Sequence, residues 1–192
     1  MTPERQALDD STTRGTVYTV GHSTRSIEEL LAVLDQARVA TLVDVRTLPR
    51  SRRNPQFDGG TLADTLSQHG ISYWHERALG GFRRPQSGSP NYGWQQPAFQ
   101  GYADHMARRE FLEALERLEV MSADQPTCIM CAEAQWWRCH RRLISDALTA
   151  RDWLVVHLGL GRPAAHEMTP IAVVGPDLSL TYPPFQGSLA LD

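Results

Sequence analysis

The chain has 192 residues, 41% of them hydrophobic and 21% charged, which is the composition of one globular domain and excludes a disordered chain. A formal net charge of −3 argues against a protein whose whole surface binds polyanions. The sequence contains no apolar run of the roughly 18 to 20 residues that a membrane span needs, and its start lacks an apolar signal core, so we expect a cytoplasmic protein without membrane partners.

Strands and helices alternate from the start of the predicted domain. Residues 1–15 are polar and show no periodicity, so we expect a disordered extension followed by a single domain over residues 16–192. The β-branched run 16–20 predicts a first strand. Ser26 and Glu29 form a capping box, which predicts the start of the first helix.

The next segments repeat this alternation. The continuous apolar run 41–45 is typical of a strand that is buried on both faces of a parallel sheet. A polar loop over 46–60 precedes a weak helix over 61–69, and 71–74 predicts a third strand. The following segment, 75–97, is a long loop rich in Gly, Pro, Gln and Ser, and such loops are usually functional or mobile.

The last third of the chain predicts two further strands with helices before and between them. Helical spacing of apolar residues covers 98–106 and resumes at 111–118. Strands are predicted at 127–130 and 153–157, with a helix over 138–150 between them. The tail from Gly159 is rich in proline and predicts no clear element.

This order predicts an α/β three-layer sandwich with a mostly parallel sheet of about five strands. Ligands of such sheets bind beyond the carboxyl ends of the strands. Four polar segments follow predicted strands and should meet at that edge, namely 21–23, 44–53, 75–84 and 131–142.

Cys131 is the leading candidate for a catalytic residue. It directly follows a buried strand and precedes a helix, a position that lowers the pKa of a thiol. Arg138 and Arg141 could clamp an anionic or phosphate-bearing substrate, because a guanidinium binds such groups in bidentate fashion. Glu133 and His140 are candidates for proton transfer. The hypothesis is a cysteine-dependent hydrolase or transferase without a cofactor.

The three cysteines also allow other interpretations. An odd number clustered between positions 128 and 139 indicates reduced thiols and not a disulfide framework. Cys128 and Cys131 together with Cys139 and His140 would offer zinc four ligands, as in a zinc-stabilised scaffold. A step of three residues places Cys128 and Cys131 on opposite faces of one strand, however, so Cys128 is better explained as core packing and no metal is predicted.

Further site candidates lie on the other loops. His22 could transfer protons, and Asp44 and Arg46 either anchor a loop or bind substrate. Arg50 and Arg52 are further candidates for substrate binding. Arginine clusters mixed with loop aromatics also allow a non-catalytic module that binds nucleotides or nucleic acid. The sequence does not define the oligomeric state.

Several motifs in register resemble one known family, the domain of unknown function 488. They are Gly21-His-Ser23, Leu42-Val-Asp-Val-Arg46, Pro49-Arg-Ser-Arg-Arg-Asn-Pro-Gln-Phe57, Leu79-Gly-Gly81, Cys131-Ala-Glu133 and Cys139-His-Arg141. The resemblance implies a bacterial or archaeal intracellular α/β protein whose site residues are Cys131, Glu133, Cys139, His140 and Arg141, and it supplies no reaction. The chain departs from the pattern at Trp136 and Trp137, where smaller residues are expected. The fold also faintly resembles the rhodanese arrangement, in which a cysteine begins the active-site loop.

Overall fold

A computed structural model describes residues 13–184 of the chain. The strands and helices in chain order are β1 Gly15–Gly21, α1 Ile27–Gln36, β2 Thr41–Asp44, α2 Gly59–Gln68, β3 Ser72–His75, α3 Pro97–Met106, α4 Arg109–Asp124, β4 Thr127–Cys131, α5 Arg141–Thr149, β5 Trp153–His157, β6 Ala164–Ala165, β7 Val173–Val174 and β8 Leu180–Thr181. Single 3₁₀ turns occupy Pro55–Phe57, Arg77–Leu79 and Trp136–Arg138.

Within residues 13–184, the main sheet has six strands in the order β3-β2-β4-β1-β5-β6. The first five are parallel, and only the two-residue strand β6 runs antiparallel, against β5. The central strands β2 and β4 are buried throughout, which is why their apolar residues follow one another and do not alternate with polar ones. The strands β7 and β8 form a separate antiparallel pair.

Helices cover both faces of this sheet. One core cluster packs α1 and α2 through residues such as Leu30, Leu34 and Leu62. The other packs α3, α4 and α5 through Tyr102, Leu115 and other residues. The predicted α/β three-layer sandwich is therefore confirmed, with one short antiparallel strand added to the five predicted strands.

Most element boundaries lie within a few residues of those predicted. The capping box is present, since the Ser26 hydroxyl accepts from the Glu29 N–H at 3.2 Å and the Glu29 carboxylate accepts from the Ser26 N–H at 2.7 Å. The last helix was predicted from residue 138 but begins at Arg141, because a 3₁₀ turn precedes it. Strand β1 begins at Gly15, one residue earlier than expected.

Two predictions concern the ends of the chain and its surroundings. Residues 1–12 of the predicted disordered extension lie outside the described residues, as do residues 185–192 of the predicted domain. In the part that is described, no helix is both long enough and apolar enough to cross a membrane.

Candidate functional site

The site lies where the sheet changes its direction of winding. Strands β1 and β4 are neighbours in the sheet. The chain leaves β1 through α1 to β2 on one side of this pair, and it leaves β4 through α5 to β5 on the other side. The helices α1 and α5 lie on opposite faces of the sheet. Such a point opens a crevice at the carboxyl ends of the two strands. The loops that leave them are tied together, because the N–H of His22 donates to the Cys131 carbonyl at 2.9 Å and that of Ser23 to Ala132 at 3.0 Å. A side chain at Gly21 would lie 1.9 Å from the Glu133 carbonyl oxygen, so only glycine permits this contact.

A cavity of about 580 Å³ opens beside this crevice, a volume typical of small-molecule sites. It is bounded by all the loops that were predicted to meet at this edge of the sheet and by helix α3. The lining residues used below are His22, Arg46, Leu48, Arg50, Phe82, Tyr102, Cys131, Glu133, Arg138, Cys139 and His140.

Two buried thiols lie at this cavity. Cys131 ends β4, and Cys139 follows the 3₁₀ turn that precedes α5. Their sulfur atoms and a ring nitrogen of His140 all lie within 4.8 Å of one another. The hypothesis named Cys131 as the reactive thiol and the family resemblance implied Cys139 as a further site residue, and the structure brings the two together.

The two thiols interact closely, and this interaction shifts their pKa values in opposite directions. The neighbouring Cys139 thiol, together with burial, raises the pKa of Cys131 well above its usual value. The neighbouring Cys131 thiol lowers the pKa of Cys139 well below its usual value, with help from His140 and Arg141 and against the effect of burial. The pair therefore loses its first proton from Cys139.

His140 is oriented to accept a proton from Cys139. Its Nε2 lies 2.9 Å from the Val45 carbonyl oxygen, which can only accept, so this nitrogen carries the ring proton. The unprotonated Nδ1 then faces the Cys139 sulfur at 3.6 Å. His140 thus has the tautomer that a general base beside a thiol requires.

Arg141 is buried beneath the site and does not line the cavity. Its side chain is only 1% exposed, and it donates to the carbonyls of Glu133 and Ala134 and to the hydroxyl of Thr19. Within residues 13–184, no carboxylate forms an ion pair with it, and its Nε has no hydrogen-bond partner. Arg141 therefore holds the cysteine loop through its hydrogen bonds to the Glu133 and Ala134 carbonyls, and its role as a substrate clamp stays a prediction.

Asp44, Arg46 and His22 form a buried anchor. Arg46 donates from Nε and NH2 to the Asp44 carboxylate at 2.5 to 3.0 Å and to the Phe57 carbonyl at 2.8 Å. Its NH1 lies 3.2 Å from Nε2 of His22, whose Nδ1 contacts the Ser23 carbonyl at 3.0 Å. Burial, and next the charge of Arg46, lower the pKa of His22 to about 4. Of the two interpretations left open for Asp44 and Arg46, this geometry supports loop anchoring.

The remaining candidates lie at the rim. Glu133, Arg138 and Arg50 are exposed and line the cavity, whereas Arg52 is exposed and does not line it. In the described part of the chain, neither Arg50 nor Arg138 forms an ion pair with a carboxylate. Arg50 and Arg138 are therefore the guanidinium groups that an anion entering the cavity would meet first.

A buried chain of hydrogen bonds extends from Arg141 away from the cavity. Thr19 joins NH1 of Arg141 at 3.3 Å to Nδ1 of His157 at 2.8 Å. Nε2 of His157 contacts Nδ1 of His166 at 3.0 Å, and Nε2 of His166 contacts the Asp146 carboxylate at 2.9 Å. These contacts link the Arg141 guanidinium at one end of the chain to the Asp146 carboxylate at the other.

The far end of this chain is also saturated with hydrogen bonds. The Asp146 carboxylate accepts from the N–H of Thr169 at 2.8 Å and from the hydroxyl of Tyr182 at 2.9 Å. Burial, followed by the charges of His166 and Arg141, lowers the pKa of His157 to about 3. The indole of Trp136 stacks on His157 at 3.9 Å with the rings 5° from parallel. Trp136, where the family pattern led us to expect a smaller residue, therefore fixes the cysteine loop to this chain.

The four-ligand zinc scaffold is not assembled. Cys128 packs in the core beside α1 and α2, while Cys131 belongs to the core cluster on the other face, as the strand spacing predicted. Cys131, Cys139 and His140 alone could offer three soft ligands to a metal ion.

The prediction from single residues missed several parts of the site. Tyr102 lines the cavity, and His166 and Asp146 complete the buried chain, whereas Phe82, which also lines the cavity, was among the loop aromatics that suggested a nucleotide site. Phe82 follows the paired glycines of the Leu79-Gly-Gly81 motif, which was a usable signal. An aromatic residue at helical spacing, such as Tyr102, gives no signal of this kind, because it is more often a core residue.

Comparison with known proteins identifies the family and no function. Searches of curated proteins and of solved structures found no match, so the faint likeness to rhodanese stays a prediction. A family model described as "Domain of unknown function DUF488" matches residues 26–148, more than half of the chain, and this range includes both cysteines of the pair, His140 and Arg141. The chain therefore belongs to the DUF488 family.

Proposed function

We propose that this protein is an enzyme that uses the Cys131–Cys139 pair to attack a small anionic substrate. One observation supports the proposal above the others. A buried guanidinium without a carboxylate partner in the described chain lies beside two neighbouring thiols, whose sulfur atoms are within 4.8 Å of each other at a cavity. Since a buried charge is costly unless it is paired, one thiolate is the natural counterion of Arg141.

The pair divides the chemical roles between its members. Cys139, with its lowered pKa, gives its proton to Nδ1 of His140 and becomes the nucleophile. Cys131 donates its S–H to that thiolate and remains protonated. The imidazolium of His140 returns the proton to the leaving group when the sulfur has attacked. This assignment moves the nucleophile from Cys131, where the sequence hypothesis placed it, to Cys139.

The rim supplies recognition of the anion. Arg50 and Arg138 lie at the cavity without ion-pair partners in the described residues, so their guanidinium forks can bind a carboxylate or phosphate group. Glu133 lies at the same rim and can act on a proton of the substrate or of an attacking water. A covalent thiol intermediate followed by transfer or hydrolysis is the reaction class that this arrangement supports.

Alkylation of each cysteine with iodoacetamide, followed by peptide mass spectrometry across a pH series, tests the proposal. We expect Cys139 to react with a midpoint below the ordinary thiol pKa of about 8.5, because alkylation requires the thiolate. Cys128, buried on the other face of the sheet, is the internal control and should stay unmodified. Replacing Cys131 by Ala should raise the midpoint of Cys139, while Cys131→Ser, which keeps a donor, should restore most of it.

Two results would overturn the proposal. The first is a Cys139 midpoint at or above that of an ordinary thiol. The second is stoichiometric zinc in the purified protein, because a bound metal would occupy both sulfur atoms and leave no free nucleophile.

A further inference from the structure

The mouth of the cavity displays an aromatic ring in an unusual way. Phe82 lines the cavity, yet its side chain is 93% exposed. Its backbone has a φ of 58°, in the left-handed region that bulky residues avoid. Exposure of a large apolar ring and a disfavoured backbone both cost free energy, and such a combination is typical of a residue kept for binding.

The backbone before Phe82 is fixed, so the ring is presented from a defined position. The Thr47 hydroxyl donates to the Gly81 carbonyl at 2.9 Å, and the Arg83 guanidinium donates to the Gly80 carbonyl at 3.1 Å. A side chain at Gly81 would lie 3.0 Å from Nδ1 of His140, so the loop passes directly over the proposed base. Phe82 therefore belongs to the same wall of the cavity as His140 and the thiol pair.

The same mouth combines apolar and cationic groups. Leu48 lines the cavity and is 67% exposed, which adds a second apolar surface. Arg50 and Arg138 contribute two guanidinium groups that have no carboxylate partner in the described chain. A planar ring can stack on Phe82, while an attached anion pairs with arginine, and sites for nucleotides combine these two contacts.

We infer that the substrate of this cavity is a nucleoside monophosphate, with its base on Phe82 and Leu48 and its phosphate between Arg50 and Arg138. The inference rests on the proposed function, because it names the substrate class of the same cavity. The cavity volume of about 580 Å³ falls in the range of small-molecule sites and not of extended grooves. The observations thus favour a mononucleotide over a single-stranded nucleic acid.

Calorimetric titration of the full chain with the 5′-monophosphates of adenosine, guanosine, cytidine and uridine tests the inference. Adenosine and inorganic phosphate are titrated separately, because they are the two parts of one of these nucleotides. We expect at least one nucleotide to bind about tenfold or more tightly than either half, because it makes both sets of contacts at once. Bound nucleotide should also slow the alkylation of Cys139 at the base of the cavity.

Matched variants separate the two sets of contacts. Phe82→Ala should weaken binding of the nucleotide and of adenosine about tenfold and leave phosphate unchanged. Arg50→Ala should weaken the nucleotide and phosphate and leave adenosine unchanged. The controls are Tyr92→Ala and Arg52→Ala, since both residues are exposed and neither lines the cavity. Neither control should change any affinity by more than about twofold.

Three outcomes would overturn the inference. The first is that none of the nucleotides binds more tightly than inorganic phosphate. The second is that the control variants lose as much affinity as Phe82→Ala and Arg50→Ala. The third is that a single-stranded oligonucleotide binds more tightly than any mononucleotide. A failure of the proposed function is distinguishable, because binding is measured without turnover and should persist in Cys139→Ser. If nucleotides bind but the pKa of Cys139 is that of an ordinary thiol, the substrate inference stands and the proposed thiol chemistry fails.

Discussion

Arg141 separates two polar regions that differ in how completely their hydrogen bonds are satisfied. On one side lies the thiol cluster, which consists of Cys131, Cys139 and His140 and opens into the cavity. On the other side lies the buried chain of Thr19, His157, His166 and Asp146, in which each member contacts the next at 2.8 to 3.0 Å. The sulfur atoms of the thiol cluster lie at the open cavity, and the Cys139 sulfur contacts the His140 ring at 3.6 Å.

Under the proposed function, this difference assigns the reaction to the thiol cluster and the positioning of Arg141 to the buried chain. A fully satisfied buried network gives rigidity, because any rotation breaks a hydrogen bond that water cannot replace. The chain from Thr19 to Asp146 therefore holds Arg141 in place. The thiol cluster instead keeps a sulfur at an open cavity, where a substrate can complete its contacts. The predictions below test whether stability and reactivity divide along this line.

Replacing Arg141 should have the largest effect, since both regions depend on it. Arg141→Met leaves the carbonyls of Glu133 and Ala134 and the Thr19 hydroxyl without their donor. We expect the free energy of unfolding to fall by about 3 kcal/mol, from the loss of several buried hydrogen bonds to a charged group. Losing the buried cation should also slow alkylation of Cys139 by about tenfold at a pH below its midpoint, which corresponds to a pKa rise of about one unit.

The adjacent residue provides a matched control. Arg142→Met removes one hydrogen bond to Thr169 of 2.9 Å and a cation–π contact with Trp94 of 4.9 Å, and it leaves the thiols untouched. We expect a loss of about 1 kcal/mol in urea denaturation and no change in alkylation. If both variants react with iodoacetamide as fast as the original protein, Arg141 does not stabilise the thiolate.

Asp146→Asn should separate stability from reactivity. An amide keeps the shape of the carboxylate but loses its charge, and the contacts from His166, Thr169 and Tyr182 weaken. We expect a loss of about 2 kcal/mol in the free energy of unfolding, as for hydrogen bonds to a charged group. Alkylation of Cys139 should change far less than in Arg141→Met. Equal slowing in the two variants would contradict the division between positioning and reacting regions.

The buried chain should also make stability depend on pH. The folded protein holds the pKa of His157 at about 3, below the unfolded value of 6.5. Between these values the unfolded chain binds a proton that the folded chain does not, so the stability present above pH 6.5 is lost as the pH falls. His22, with a pKa of about 4, acts in the same direction.

Urea denaturation at about pH 7.5 and about pH 5 checks this sign. From the higher to the lower pH, the free energy of unfolding should fall by about 1 kcal/mol more in the original protein than in His157→Gln, because the variant has one fewer histidine to titrate. The comparison uses the change between the two pH values, since the variant also lacks hydrogen bonds at both. An equal change in the two proteins would show that His157 is not held neutral by folding.

The fold, and the edge of the sheet at which the candidate site lies, could be predicted well because both follow from local sequence patterns. Helical spacing and a capping box located α1 closely, and the odd step between Cys128 and Cys131 placed these residues on opposite faces. The two-residue strands β6, β7 and β8 were not predicted, because so short a strand has no periodicity to detect.

The roles within the site were harder to predict because they depend on side-chain direction. Charge alone suggested that Arg141 faces a substrate, whereas it is buried under the loop that it holds. The buried chain joins Asp146 to His166 across 20 residues and His157 to Thr19 across 138, and no local pattern signals such contacts. The family match ends at residue 148, so it does not include His157 or His166.

The smallest predicted effect concerns the contact between the two regions at the cysteine loop. Trp136 stacks on His157, whereas its neighbour Trp137 is exposed and contacts Trp136 edge to face at 5.6 Å. Trp136→Ala should lower the free energy of unfolding by about 1 kcal/mol, the value of an aromatic pair, while Trp136→Phe should retain most of it. Trp137→Ala, the matched control, should change stability by less than about 0.5 kcal/mol. Because the stack fixes the loop between Cys131 and Cys139, Trp136→Ala should also raise the pH midpoint of Cys139 alkylation. A loss of stability without that shift would mean that the loop keeps its two thiols together unaided by the buried chain.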